Sequence, residues 1–356
     1  MNEAVTTALD EAVPDRPVAS FRGVGPSWNG ANETVGVEFA DGSRAFCKVA
    51  VDGDGTRIAR ERAVLRYLAA ERLFPVPEVV AADPEAAVPY LVTEPAPGRE
   101  LRGVWDGADD AVREGLLRRV GAALATLHAG RFDAHGEVVG LESVGPEDGA
   151  ADGAASGATG EAAADDFPRL DVDPAPWPDV LRATIERTRE IGTSERLADH
   201  YDAVFDCVES NRDRLSDAQP ALLHGDVAPP NLFVVDVPEE PDPGSGQYRS
   251  DGIVPIDWEL AHVGDPARDL VRAEDQLCNG FDSTGPERFS QALYAGYRDR
   301  AGGLPEGFDE RRPIYEVVRM LGRSGFIDQW TSYLDEPMDS LVERADAELR
   351  ARLDEV

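Results

Sequence analysis

Apolar and polar positions alternate through Val35, Val37 and Phe39, Asp41-Gly42 marks a tight hairpin, and Arg44 to Ala50 reads as the returning arm. Val18 to Val24 supplies an earlier strand, followed by the loop Gly25 to Asn32, so three antiparallel strands are predicted with a flexible first turn. The period then lengthens. Ile58, Glu61, Leu65 and Leu68 recur at 3-4-3 spacing, which predicts a helix from a Thr56 cap to about Arg72 with a carboxylate on its apolar stripe. Pro75-Val76-Pro77 stops it, and Glu78 to Ala81 and Tyr90 to Glu94 predict two further strands.

From Glu94-Pro95-Ala96-Pro97-Gly98 onward the pattern is helical: Val112, Leu116, Val120, Leu124 and Leu127 make one long stripe through His128, and helices are predicted again at Val180 to Ile191, Glu195 to Leu215 and beyond Pro266. One short apolar segment, Ala221 to Val237, is paired with Gly252 to Trp258. Residues from about Glu142 to Pro176 are rich in Ala, Gly, Asp, Glu and Pro without periodicity, the signature of a mobile, solvated insertion. The prediction is an α+β chain in two parts, an antiparallel sheet with one helix over residues 1–95 and a helical part over residues 96–356.

Charge narrows the function. Against 35 Lys plus Arg stand 69 Asp plus Glu, a net charge of −34, so binding to nucleic acid or to an anionic membrane surface is disfavoured and a small-molecule partner is expected. A monomer or weak dimer is expected, in the cytoplasm: no apolar run reaches membrane-spanning length, Met1 to Asp15 is acidic, and Cys47, Cys207 and Cys278 have neither disulfide-framework nor metal-ligand spacing. Only one of the cations is lysine, Lys48. An acid-rich, lysine-poor chain is expected to stay soluble in concentrated salt, and a lone surviving lysine points to a place where a guanidinium cannot replace an ammonium.

The chemistry concentrates in Leu222-Leu-His224-Gly-Asp226-Val-Ala-Pro-Pro-Asn231-Leu-Phe-Val-Val235 and in Asp257, at the end of the apolar run from Ile253. Two strands joined by the polar stretch 238–252 would bring Asn231 and Asp257 together, with Asp226 on the loop beside them. Two oxygen ligands and a carboxylate base are what phosphoryl transfer from a magnesium nucleotide requires, together with a cation on the phosphates. Lys48 can be that cation, and Glu61, which needs a partner on its buried stripe, can hold it.

Lys48, Glu61, His224-Gly-Asp226-x-x-x-x-Asn231, Ile256-Asp257-Trp-Glu and Gly264-Asp-Pro-Ala-Arg-Asp-Leu270 together resemble the aminoglycoside phosphotransferase and choline/fructosamine kinase group of the protein-kinase-like fold, over about Phe21 to Leu334. The resemblance implies a two-lobed kinase fold and an ATP-dependent, Mg²⁺-requiring transfer to a hydroxyl of a small molecule such as an amino sugar or a choline-like metabolite. It further implies Asp226 as catalytic base, Asn231 and Asp257 as metal ligands, Lys48 on the α/β-phosphates, and Glu94 to Ala96 as the hinge that meets adenine. Ser27 and Asn29, in the first turn, would contact the nucleotide, although Gly23-x-Gly25-Pro26 is not a G-x-G-x-x-G. Pro229-Pro230 is a second departure, stiffening the approach to Asn231.

His224 and Asp269 are expected to brace the loop and His128 to pack, while Trp28 covers nucleotide or shields the sheet. Glu259, Asp265 and Asp328 with Trp330 are the acidic candidates for the acceptor mouth. The rival readings are a protein kinase, disfavoured because no A-P-E follows Asp257, a catalytically silent nucleotide-binding module, and a two-metal phosphatase, for which five histidines are too few.

Overall fold

A computed structural model describes residues 3–23, 31–142, 168–236, 251–280, 283–331 and 334–356. The chain opens with α1 (Glu3–Ala12), followed by β1 (Val18–Gly23), β2 (Asn32–Phe39), β3 (Arg44–Ala50), α2 (Thr56–Ala70), β4 (Val79–Asp83) and β5 (Tyr90–Thr93). These strands form one antiparallel sheet in the order β1-β2-β3-β5-β4, with Lys48 of β3 opposite Thr34 and Leu91. The first turn, with Ser27, Trp28 and Asn29, lies outside the described residues, as does most of the acidic insertion.

Two details of this part differ from expectation. Helix α1 was not foreseen: its apolar face is only Val5, Ala8 and Leu9, too short a repeat to stand out, yet these side chains are buried against Val37, Phe39, Cys47 and Val49 of the sheet. Thr56 is the first residue of α2 and not its cap; Gly55 occupies the cap position, and the Asp54 carboxylate accepts from Thr56 N (3.0 Å) and Oγ1 (2.5 Å). Ile58, Glu61, Leu65 and Leu68 are all buried, as their spacing predicts.

After β5 come β6 (Arg99–Glu100), α3 (Leu101–Asp106), α4 (Asp110–Leu127), β7 (Gly136–Leu141), β8 (Leu170–Pro174), α5 (Trp177–Ile191), α6 (His200–Ser210) and α7 (Arg212–Ser216). Strand β8 corrects the far edge of the insertion: Leu170 to Pro174 pair with β7, with Leu141 opposite Leu170 and Gly136 opposite Pro174. The long helix predicted to Leu215 is broken at Asn211, whose side chain bonds the Cys207 carbonyl at 2.9 Å and competes with helical continuation.

The remaining elements are β9 (Ala221–Leu223), β10 (Leu232–Val234), β11 (Ile253–Pro255), β12 (His262–Gly264), α8 (Pro266–Ala273), α9 (Glu287–Ala301), α10 (Phe308–Ser324), α11 (Ile327–Trp330) and α12 (Met338–Asp354). Two small sheets, β11-β10-β6 and β8-β7-β12-β9, sit among these helices and carry the chemistry-bearing loops. One continuous apolar core runs from Ile58, Leu65 and Leu68 of α2 through α4 and α5 to α10 and α12. No helix among the described residues is long and apolar enough to cross a membrane.

Candidate active site

A cleft of about 1640 Å³ lies between the N-terminal sheet and the helical part, and Lys48, Glu61, Asp226, Asn231 and Asp257 all line it. Pairing of β10 with β11 sets Leu232 opposite Pro255, and Ile256 N donates to the Asn231 carbonyl at 2.9 Å, so Asn231 and Asp257 meet as the spacing predicts. Asp257 itself has φ of 66°, a left-handed backbone that a non-glycine residue rarely adopts. Such a conformation turns the chain sharply at the strand end.

Lys48 is the hub. Its Nζ donates to Glu61 Oε2 (2.6 Å), Asp257 Oδ1 (2.5 Å) and Glu259 Oε2 (3.2 Å). Burial works against the ammonium, but the carboxylates of Asp257, Glu61 and Glu259 outweigh it and hold Lys48 charged well above its ordinary range. Burial also pushes the Glu61 carboxyl up, against the pull of Lys48, with Asp257 and Glu259 adding like charge.

Oxygens of Glu61, Asp257 and Glu259 lie within 4.8 Å of one another around this point. Lys48 is bonded to all three; a set of carboxylate oxygens without nitrogen or sulfur ligands has the chemistry of a hard cation such as Mg²⁺ and not of zinc.

The loop before Asn231 is braced from below. Asp269 accepts from His224 N (2.6 Å) and Gly225 N (3.1 Å), and its charge is favoured despite burial by these amides and by His128, whose Nε2 stands 3.6 Å away. Gly225 has φ of 80°, and a Cβ there would run into the Leu260 carbonyl, so only glycine fits the turn. His224 Nε2 donates to Ile256 O (3.0 Å) and Nδ1 accepts from Asp226 N (3.2 Å), and burial keeps the ring neutral. His128 does more than pack, since it faces the Asp269 carboxylate. Asn231 Nδ2 donates to Asp226 Oδ2 at 3.2 Å, which points its amide oxygen elsewhere.

Of the acidic residues expected at the acceptor mouth, three are elsewhere. Asp265 is wholly buried, caps α8 through Ala267 N (3.0 Å) and holds Arg311 (2.6 Å) and Tyr315 (2.5 Å). Asp328 accepts from Thr193 Oγ1 at 2.6 Å and is not part of the cleft wall. Glu259 lines the cleft but on the Lys48 side, bonded to Arg57 (3.0 Å) and Asn32 (2.6 Å). Trp330 does line the cleft.

Sequence reasoning missed the arginines. Arg57 and Arg60 dock α2 on the helical part, Arg60 through Val138 O (3.0 Å), Glu259 O (3.0 Å) and Glu137 (2.5 Å). Arg272 Nη2 lies 2.5 Å from Asp226 Oδ1 and, with His224, keeps that carboxyl below its usual range although burial opposes this. Arg57 and Arg60 both precede Glu61 in α2, within one helical turn of it, and Arg272 lies one helical turn past Asp269, but arginine is too common here to draw notice.

Among curated proteins none matches the chain in sequence. Solved structures match it over nearly its whole length. A candidate fructosamine-3-kinase from Thermobifida fusca is 19% identical, covering 98% of this chain and 99% of its own, with a TM-score of 0.53. An ADP-bound aminoglycoside phosphotransferase is 14% identical over 99% of both chains at 0.55. A type VIII aminoglycoside 3′-phosphotransferase is 21% identical over 91% of this chain and 100% of its own at 0.57. These likenesses establish the protein-kinase-like fold. Since the phosphotransferase enzyme family model matches residues 25–314, which hold Lys48, Glu61, Asp226, Asn231 and Asp257, the chain belongs to that family.

Proposed function

We propose that the protein is an ATP- and Mg²⁺-dependent kinase that moves the γ-phosphoryl group to a hydroxyl of a small molecule. The observation that carries this reading is the single lysine, bonded at once to Glu61 and Asp257 beside the Asp226–Asn231 loop. Lys48 would meet nucleotide phosphates and Glu61 would hold it there. Asn231 and Asp257 would hold Mg²⁺, which would supply positive charge against the phosphates. Ala45, Leu91, Phe233 and Ile256 give the cleft apolar walls suited to a purine. Glu94 N is used within the sheet, donating to Glu78 O at 2.8 Å, so base recognition falls to the Glu94 carbonyl and to the Ala96 amide, the one N–H between Pro95 and Pro97.

In the transfer itself Asp226 orients the acceptor hydroxyl. The acceptor oxygen bonds to the γ-phosphorus as the bridging P–O bond breaks, the nucleoside diphosphate leaves with that electron pair, and the hydroxyl proton passes to Asp226. A silent nucleotide-binding module remains a second reading because Arg272 occupies Asp226 in this structure.

Asp226→Asn distinguishes them. Mg-ATP binding measured by calorimetry should persist while nucleoside diphosphate release with an accepted hydroxyl compound falls by about 10² or more. Equal, unmeasurable turnover in wild type and variant across a broad acceptor panel would favour the silent module.

A further inference from the structure

Three arginines gather beside Asp226, in a chain whose net charge is −34. Arg272 from α8 bonds Asp226, while Arg319 and Arg323, one turn apart on α10, bond the two oxygens of Asp275 at 2.6 and 2.9 Å. All of these side chains line the cleft. The Arg272 Nε–H is buried without a partner. The guanidiniums also feel one another: Arg319 is pushed down to about 10 by burial and by the neighbouring charges of Arg272 and Arg323, against the pull of Asp275. Arg323 lies over the Trp330 ring, 5.0 Å from its centre, so the same wall offers an apolar surface.

Like charges gathered in a partly buried pocket are unfavourable for folding alone. They are what an oxyanion needs, because planar guanidinium forks bind carboxylate or phosphate with paired hydrogen bonds. The three acidic candidates for attracting an amine at this mouth, Asp265, Asp328 and Glu259, are engaged elsewhere, and Asp226 and Asp275 are already bonded to the arginines.

Resting on the kinase reading above, we infer that the phosphate acceptor is a hydroxyl compound carrying a carboxylate or phosphate group, which docks among Arg272, Arg319 and Arg323 and sets its hydroxyl at Asp226. Polycationic amino sugars are then excluded. An anionic acceptor also draws Arg272 away from Asp226, so binding frees the base.

The test is a charge series on one scaffold: glucuronate, glucose 6-phosphate, glucose and glucosamine, with binding to the intact protein in Mg-nucleotide analogue followed by calorimetry in molar KCl and phosphorylated product by mass. At least one anionic sugar should bind tenfold or more tighter than glucose, with glucosamine weakest; preference for glucuronate marks a carboxylate site and preference for glucose 6-phosphate a phosphate site. Arg323→Gln and Arg319→Gln should each weaken the anionic sugar about tenfold and leave glucose unchanged. Arg323→Lys, which keeps the charge but not the fork, should fall between.

An equal response to all four sugars, including none to any, overturns the inference, as does glucosamine binding as well as the anions. These results need no variant to fold. Charge discrimination without phosphorylated product would remove the kinase reading and leave the anion site standing, whereas phosphorylated glucosamine would do the reverse.

Discussion

Replacing Lys48 with methionine keeps an unbranched side chain one atom shorter and removes its charge, and the structure says where the loss must fall. Asp257 is about one-third exposed (35%) and can turn to water, and Glu259 keeps Arg57 and Asn32. Glu61 keeps nothing comparable: its side chain is 8% exposed and Lys48, at 2.6 Å, is its cation. Breaking one buried pair by removing one partner costs about 3 to 5 kcal/mol, and most of this should be carried by Glu61.

The deficit should also titrate. Burial already raises the Glu61 carboxyl above its ordinary range, and loss of the ammonium raises it further. A carboxyl that binds its proton more tightly folded than unfolded contributes stability at low pH and loses it as pH rises through the folded pKa. The K48M deficit, read from urea midpoints in molar KCl, should therefore be small at pH 5.5 and grow steadily towards pH 8.5. Glu61→Gln added to Lys48→Met should recover about 2 kcal/mol in a double-mutant cycle. A deficit under about 1 kcal/mol, one that ignores pH, or strict additivity with Glu61→Gln would refute the account of Lys48 and Glu61 as a buried pair.

Two other outcomes follow from buried polar groups. Asp269→Ala leaves the His224 and Gly225 amides unsatisfied in a buried place, so stability should fall by about 2 to 4 kcal/mol and amide exchange at both positions should accelerate, with wild-type exchange rates counting against the brace. His135, His224 and His262 are all held neutral below the ordinary histidine range, chiefly by burial. The unfolded chain alone takes these protons, so unfolding in molar KCl should become easier as pH falls below about 6.5 and before the carboxylates protonate. His262→Gln should flatten that slope, and an unchanged slope would assign it to other groups.

What could be read from sequence was whatever departs from the background. Glu61 stood out because a carboxylate interrupts an apolar stripe, Lys48 because it is alone, and Asp226, Asn231 and Asp257 because short apolar strands fix their distance. The arginine wall is invisible for the opposite reason: in a chain where nearly every cation is arginine, Arg272, Arg319 and Arg323 carry no compositional signal, and only α8 and α10 lying side by side collects them. Asp265 misled because a charged residue after a glycine reads as surface, while Arg311 and Tyr315, some fifty residues on, enclose it. Helix α1 escaped because three small apolar side chains bury well against a sheet yet make a weak periodic pattern.

The three-point attachment of Arg60 has a bearing on control. Swinging α2 outward would strip its guanidinium from two backbone carbonyls and Glu137 at once, a cost of several kcal/mol. The helix that carries Glu61 is thus clamped in the engaged position at rest, with no latch for an activator to close. Output of such a catalyst is expected to follow how much of it is made and how much substrate reaches it, and a regulator acting through α2 would have to work as a crowbar, by prising the helix loose.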